Sequence, residues 1–179
     1  LSSIPKPDLA LLFSDYDLEV FKDMGWSQNR LISYGSIRFQ NLEDAKEISW
    51  TKKENLISIV LPGDIDSCIE LLEFLYPLVL EITDVKFTII HHPEIIKYTL
   101  RIADKITELK NCNNSYSNSD ELFIKSKALI SYGTSAIIQG MLNSCFILVP
   151  VMSRSLPLDP AFNKIDSVDY VVDKKIMSE

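Results

Sequence analysis

The chain has 179 residues, 46 % of them hydrophobic, with eight Phe, seven Tyr and two Trp, enough apolar bulk for one well-buried core and too much for a disordered chain. A net charge of −7, with no run of Lys or Arg able to follow a phosphate backbone, argues against nucleic acid as a partner. Apolar runs fall short of the roughly 18 residues of a membrane span. Cys68, Cys112 and Cys145 lack CxxC spacing, and two lie inside apolar patterns, so the expected setting is reducing and cytoplasmic.

The opening "LSSIPKPD" reads as the interior of a longer chain, with no signal peptide or lipidation motif. "DLALLF" (8–13) is a short strand, and Ser14-Asp15 starts a helix that carries Leu18, Phe21 and Met24 at helical spacing and closes on Gly25. "RLISY" (30–34) is a second strand. The charged, aperiodic text that follows places a linker near residues 37 to 55.

"LISIVLP" (56–62) is β-branched and almost wholly apolar, as expected of a parallel strand covered on both faces. Pro62-Gly63 ends it. A helix follows, capped by Asp64 or Asp66, with Ile69, Leu72 and Leu75 or Tyr76 inward, and Pro77 should kink or stop it. "VKFTII" (85–90) is the next strand, ended by His91-His92-Pro93, and "EIIKYTLRIADKI" (94–106) is a helix. "NCNNSYSNSD" (111–120) reads as a surface loop before the short helix "ELFIKS". A strand (127–132), the turn Gly133-Thr134-Ser135, a helix (135–143) and a strand (145–150) come next; the tail holds a proline-rich loop and a strand at Tyr170–Val172.

Strands alternating with helices predict a three-layer, Rossmann-like α/β domain with a mainly parallel sheet. Ligands of such sheets sit beyond the C-terminal strand ends. Three turns occupy that edge: Pro62-Gly63-Asp64, His91-His92-Pro93 and Gly133-Thr134-Ser135. Gly133 allows close backbone approach, and Thr134 and Ser135 at a helix start suit a phosphate; ordinary helix capping explains the same residues. A serine-hydrolase elbow is excluded, because Ile137 stands where a second Gly is required and no His follows Ser135.

His91 and His92, adjacent and without a Cys or carboxylate set, make a poor zinc site, and no metal is expected. Held at the strand end by Pro93, His92 can donate to a phosphate or ribose, and a structural role is equally open. Gly63-Asp64 is a weaker candidate. Neither GxGxxG nor GxxxxGK[ST] occurs, which removes the usual dinucleotide and ATP fingerprints. The acidic pairs Asp15/Asp17, Glu43-Asp44 and Asp120-Glu121 read as solvated helix starts or loops, so no acid–base dyad is assigned and the catalytic residues are unknown.

The order strand, "HHP", helix, strand, "YGTSAIIQG", helix, strand resembles the nucleotide-binding C-terminal half of GT-B-fold glycosyltransferases, most of all the bacterial surface-polysaccharide group of sialyltransferases and teichoic-acid glycerophosphate transferases. His92-Pro93 and Thr134-Ser135 match the two motifs that hold the nucleotide and phosphates there. Gln139 stands where the family often has a Glu that accepts from the ribose hydroxyls, Ser144 replaces the usual Gly, and Phe146 replaces the usual Pro. "GSIRF" (35–39) is similar to the segment by which such chains leave the N-terminal domain.

The resemblance implies a division into 1–40, the end of an N-terminal domain with its linker, and 41–179, the nucleotide-sugar-binding domain. It implies a CMP, CDP or UDP donor as substrate and no cofactor. A glycan or lipid-linked acceptor would be held by a further domain, with the full-length protein peripheral to the inner face of a membrane. It places base recognition after Ile106, in "TELKNCNNSYS", and implies a chain that binds donor without turning it over alone. A UDP-sugar 2-epimerase-like domain is the nearest rival, although the Asp-Ser-Gly-Gly turn and Glu pair of that family are missing. A noncatalytic interaction domain is the other.

Overall fold

The computed structural model of the chain describes residues 7–35, 49–116, 119–151 and 168–171. Two compact units divide it, Leu1–Asp44 and Ala45–Glu179. In the first, β1 (Ala10–Leu12) and β2 (Leu31–Ser33) pair in parallel, with α1 (Asp15–Asp23) between them in sequence. Ser14 caps α1 by accepting from the Asp17 N–H at 3.2 Å. Gly25, with φ +81°, closes the helix in a Schellman arrangement: its N–H bonds Lys22 O, the Trp26 N–H bonds Phe21 O, and the Phe21 and Trp26 rings meet edge to face at 5.5 Å.

The second unit is built on a sheet of six strands, all paired in parallel, in the order β5-β4-β3-β6-β7-β8. The strands are β3 (Glu54–Val60), β4 (Lys86–Ile90), β5 (Cys112–Ser115), β6 (Ser126–Ser131), β7 (Phe146–Pro150) and β8 (Val168–Val171). The helices are α2 (Ile65–Glu81), α3 (Ile96–Thr107), α4 (Ser119–Lys125) and α5 (Ala136–Leu142). Successive strand residues face opposite ways. Ile59, Ile89 and Ile130 therefore enter one core with Leu71, Leu75 and Val79 of α2 and Ala103 and Ile106 of α3. Val60, Leu129 and Ile147 enter a second core with Phe123 of α4 and Ile137 of α5. These two cores make the three-layer Rossmann-like α/β architecture expected from the alternation of elements.

Pro77 does not stop α2, which runs on to Glu81. A proline inside a helix costs about 3 kcal/mol, comparable with the roughly 1.5–3 kcal/mol gained by burying each of Leu78 and Val79 beyond it. Pro77 and Glu73, whose carbonyl loses its helical partner, both lie on the exposed face, where water can make up the bond. Asn111 then closes the far end, its amide donating to Val79 O at 2.8 Å and Ile82 O at 2.6 Å. The buried face also includes Cys68 and Leu71, while Tyr76 is exposed.

The segment read as a loop after α3 contains β5, an edge strand whose Cys112 lies opposite Phe87 of β4. Its Asn113, Asn114 and Ser115 carry no strand signal because an edge strand with mostly unburied side chains needs none; the backbone ladder to β4 holds it. β3 begins at Glu54, inside the stretch assigned to a linker. Residues 36–39 of the "GSIRF" segment and the proline-rich part of the tail lie outside the described residues.

Lys53, also in that linker stretch, is buried. Its ammonium donates to Phe123 O at 2.9 Å and Ile124 O at 3.2 Å in the last turn of α4 and to Ser126 O at 2.9 Å at the start of β6, and Cys145 Sγ shares two of these acceptors, Phe123 O at 3.1 Å and Ser126 O at 3.4 Å. Burial pulls the Lys53 pKa down and pushes that of its neighbour Cys145 up. Burial likewise raises Cys68 to about 12 and Cys112 to about 11, so these thiols stay protonated and unreactive.

Candidate functional site

The chain builds β3, β4 and β5 outward to one side, then returns to lay β6 against the other side of β3 and continues to β7 and β8. Strand order therefore reverses between β3 and β6, and this is where an open parallel sheet leaves a crevice at its C-terminal edge. The register is level across it: Val60 pairs with Ile90 on one side and with Ser131 on the other. The turns after β3, β4 and β6 consequently leave the sheet side by side, and they hold the candidate residues found in the sequence.

Leu61 extends the ladder by one residue, its N–H bonding Ile90 O at 3.0 Å. Gly63 follows and is exposed. A methyl group at Gly63 would stand 3.6 Å from Nε2 of His92, so the imidazole lies directly against this turn. Asp64 is the cap of α2: its Oδ1 accepts from the Ser67 N–H at 2.8 Å.

The two histidines divide the inner and outer positions. His91 is buried, with Nδ1 2.7 Å from Thr99 Oγ1 and Nε2 2.8 Å from Asn114 Oδ1. Burial holds its pKa below the usual value, against the opposing pull of the Asn114 bond. Asn114 Oδ1 can only accept, which places the proton of the neutral ring on Nε2 and leaves Nδ1 to accept from Thr99. His92 is half-buried, and its Nδ1 accepts from the Glu94 N–H at 3.4 Å. In the neutral ring the proton then sits on Nε2, the nitrogen beside Gly63. Pro93 is exposed just beyond, and α3 starts after it with no side-chain cap and no acidic residue in its first turn.

In the third turn Gly133 has φ +62°, a left-handed conformation open to glycine at little cost. Ser135 occupies the cap position of α5, yet its side chain makes no capping bond; Thr134 Oγ1 instead accepts from the Ala136 N–H at 3.3 Å. α5 has only seven residues, so its dipole is weaker than the sequence pattern suggested, and hydroxyl and N–H donors must do more of any anion binding. Gln139 lies one turn into α5, and its amide nitrogen is 3.5 Å from Asp120 Oδ1 of α4.

Thus Gly63 lies against the His92 ring, and the turn Gly133-Thr134-Ser135 leaves the neighbouring strand β6 at the same register level. Two further participants carried no motif in the sequence. Ser131, fully buried at the end of β6, lies with Oγ 2.7 Å from Thr134 Oγ1. Asn114 orients His91 from the unrecognised strand β5. Among the described residues no three His, Cys, Asp or Glu side chains gather as metal ligands, and no helix is long and apolar enough to cross a membrane.

Neither protein-family models nor curated protein sequences match the chain. Solved structures do. The UDP-GlcNAc 2-epimerase of Methanocaldococcus jannaschii, in complex with UDP-GlcNAc and UDP, superposes with a TM-score of 0.69 at 14 % identity, over 95 % of this chain and 52 % of that one. S. aureus MnaA, solved with UDP, gives 0.62 at 14 % identity, over 90 % of this chain and 46 % of that one. The chain spans about half the length of these neighbours. At such identity the likeness is one of fold, and it sets the six-stranded unit among the Rossmann-like halves of GT-B-type folds.

Proposed function

We propose that the six-stranded unit binds the nucleotide of a CMP-, CDP- or UDP-linked donor, as the donor half of a glycosyltransferase-like protein. The reaction would transfer a sugar or related group in surface-polysaccharide synthesis. The observation that carries this reading is the level placement of Gly63, His92 and Gly133-Thr134-Ser135 around the point where strand order reverses. A diphosphate leaving group needs hydrogen-bond donors directed at its oxygens. The Nε2 proton of His92, the hydroxyls of Thr134 and Ser135 and the uncapped start of α3 supply such donors without making the acidic chain locally cationic.

Calorimetric titration of the chain with CMP, CDP and UDP tests the reading, alongside His92→Ala and Ser135→Ala. One nucleotide should bind in the micromolar to millimolar range, and each variant should lose about 1–3 kcal/mol, as expected for a hydrogen bond to a charged group. No binding by a folded wild-type chain would overturn the proposal in favour of a noncatalytic interaction domain.

A UDP-sugar 2-epimerase-like domain is the second reading, favoured by the two structural neighbours above. Inverting a C2 stereocentre breaks a C–H bond and calls for an acid–base group; this chain lacks the Asp-Ser-Gly-Gly turn and the Glu pair of that family. Incubation with UDP-GlcNAc in D2O tests the second reading. The transferase reading expects no deuterium at C2, and incorporation would transfer the proposal to the epimerase.

A further inference from the structure

Ser131 and Thr134 form a hydroxyl pair at 2.7 Å, and their surroundings decide which of them donates. Thr134 Oγ1 already accepts from the Ala136 N–H. Ser131 is fully buried at the end of β6, Thr134 is half-exposed, and Thr134 is the one partner of Ser131 Oγ among the described residues. Were Thr134 the donor, the Ser131 proton would be buried with no acceptor, at a cost of about 1–3 kcal/mol. With Ser131 as donor the buried proton is satisfied, and both lone pairs of Thr134 Oγ1 are filled, one by Ser131 and one by Ala136. The Thr134 hydroxyl then has a single remaining capacity, its own proton, on a residue that is half-exposed where Ser131 is fully buried.

We infer that Ser131 is a positioning residue that turns Thr134 into an obligate outward hydrogen-bond donor, making this side of the crevice selective for an oxygen acceptor such as a non-bridging phosphate oxygen. The inference rests on the nucleotide-binding proposal. It adds a residue that touches no ligand and assigns Thr134 a one-way role. Thr134 is thereby distinguished from Ser135, whose side chain takes no part in capping α5.

The test is calorimetric titration of the chain with UDP, for wild type, Ser131→Ala, Thr134→Val, Thr134→Ser and the double variant Ser131→Ala/Thr134→Val, with melting temperature as the control for folding. Thr134→Val should weaken UDP roughly ten- to a hundredfold, the size of one hydrogen bond to a charged group. Thr134→Ser should restore most of the affinity. Ser131→Ala should weaken UDP several-fold, and the double variant should bind no more weakly than Thr134→Val, because Ser131 acts only through Thr134. If Ser131→Ala does not fold, Ser131→Cys, close in shape and a much weaker donor, replaces it. Unchanged UDP affinity in the Ser131 variant, or losses that add in the double variant, would overturn the inference while leaving nucleotide binding intact. Failure of the wild-type chain to bind UDP would overturn this inference, and failure with all three nucleotides would overturn the binding proposal as well.

Discussion

His91 Nε2 lies 2.8 Å from Asn114 Oδ1, and through this bond the end of β4 is tied to the edge strand β5. The same ring reaches Thr99 of α3 with Nδ1, so one buried imidazole connects three elements beside the crevice. A ring held neutral by burial is a liability in acid.

Stability should therefore fall as pH drops. The folded pKa of His91 lies below the ordinary value of about 6.5, so between the two values the unfolded chain binds the extra proton. The stabilisation is complete above about pH 6.5 and is lost as pH falls from there through the folded pKa. Urea unfolding at steps from pH 8 to pH 5 measures this, and His91→Gln should show a shallower loss over the range. An identical slope in the variant would remove His91 as the cause.

Lys53→Met keeps much of the length and apolar stem of the side chain but removes the donor from Phe123 O and Ser126 O. We expect a loss of about 1–3 kcal/mol, because only the weak donor Cys145 Sγ then remains for these buried carbonyls. Urea unfolding at neutral pH reads it, and an unchanged midpoint would mean that the carbonyls find other partners.

Ser144 is the one non-glycine residue among those described with a left-handed backbone, at φ +55°. Ser144→Gly should stabilise the chain by about 0.5–1 kcal/mol, since relief of strain exceeds the entropy that glycine adds to the unfolded state. Ser144→Val should destabilise it. Thermal melts of the two variants shifting in the same direction would contradict this account.

Asp64→Ala removes the cap of α2 and should cost about 1 kcal/mol, whereas Asp64→Ser, which can also accept from the Ser67 N–H, should recover most of it. Melting temperatures of the pair decide whether capping is what the carboxylate does for stability. UDP titration of Asp64→Ser then reports any separate part in binding; we expect the affinity to be retained, because a carboxylate adds repulsion to a phosphate.

Much of the architecture was legible because buried parallel strands must be apolar on both faces. Runs such as Leu56–Leu61 and Ala128–Ile130 therefore announce themselves in one dimension, and the turns between them carry Gly, His-Pro and paired hydroxyls that mark strand ends. Helix caps were similarly local, and Ser14 and Asp64 behave as their positions predict. What resisted reading were features whose stabilisation comes from distant partners. β5 exists because β4 offers it a backbone edge, α2 passes Pro77 because the core buries Leu78 and Val79, and Lys53 is buried because the junction of α4 and β6 offers its ammonium three carbonyl oxygens.

By itself, then, the sequence determined the alternation of strands and helices and the chemical identity of the three edge turns, since both follow from local pattern. Only the tertiary structure decided that strand order reverses between β3 and β6, that His91 faces inward while His92 leans on Gly63, and that Ser131 stands behind Thr134. Hydrogen-bond partners and strand neighbours are fixed by packing between segments far apart in the chain, and no local spacing encodes them.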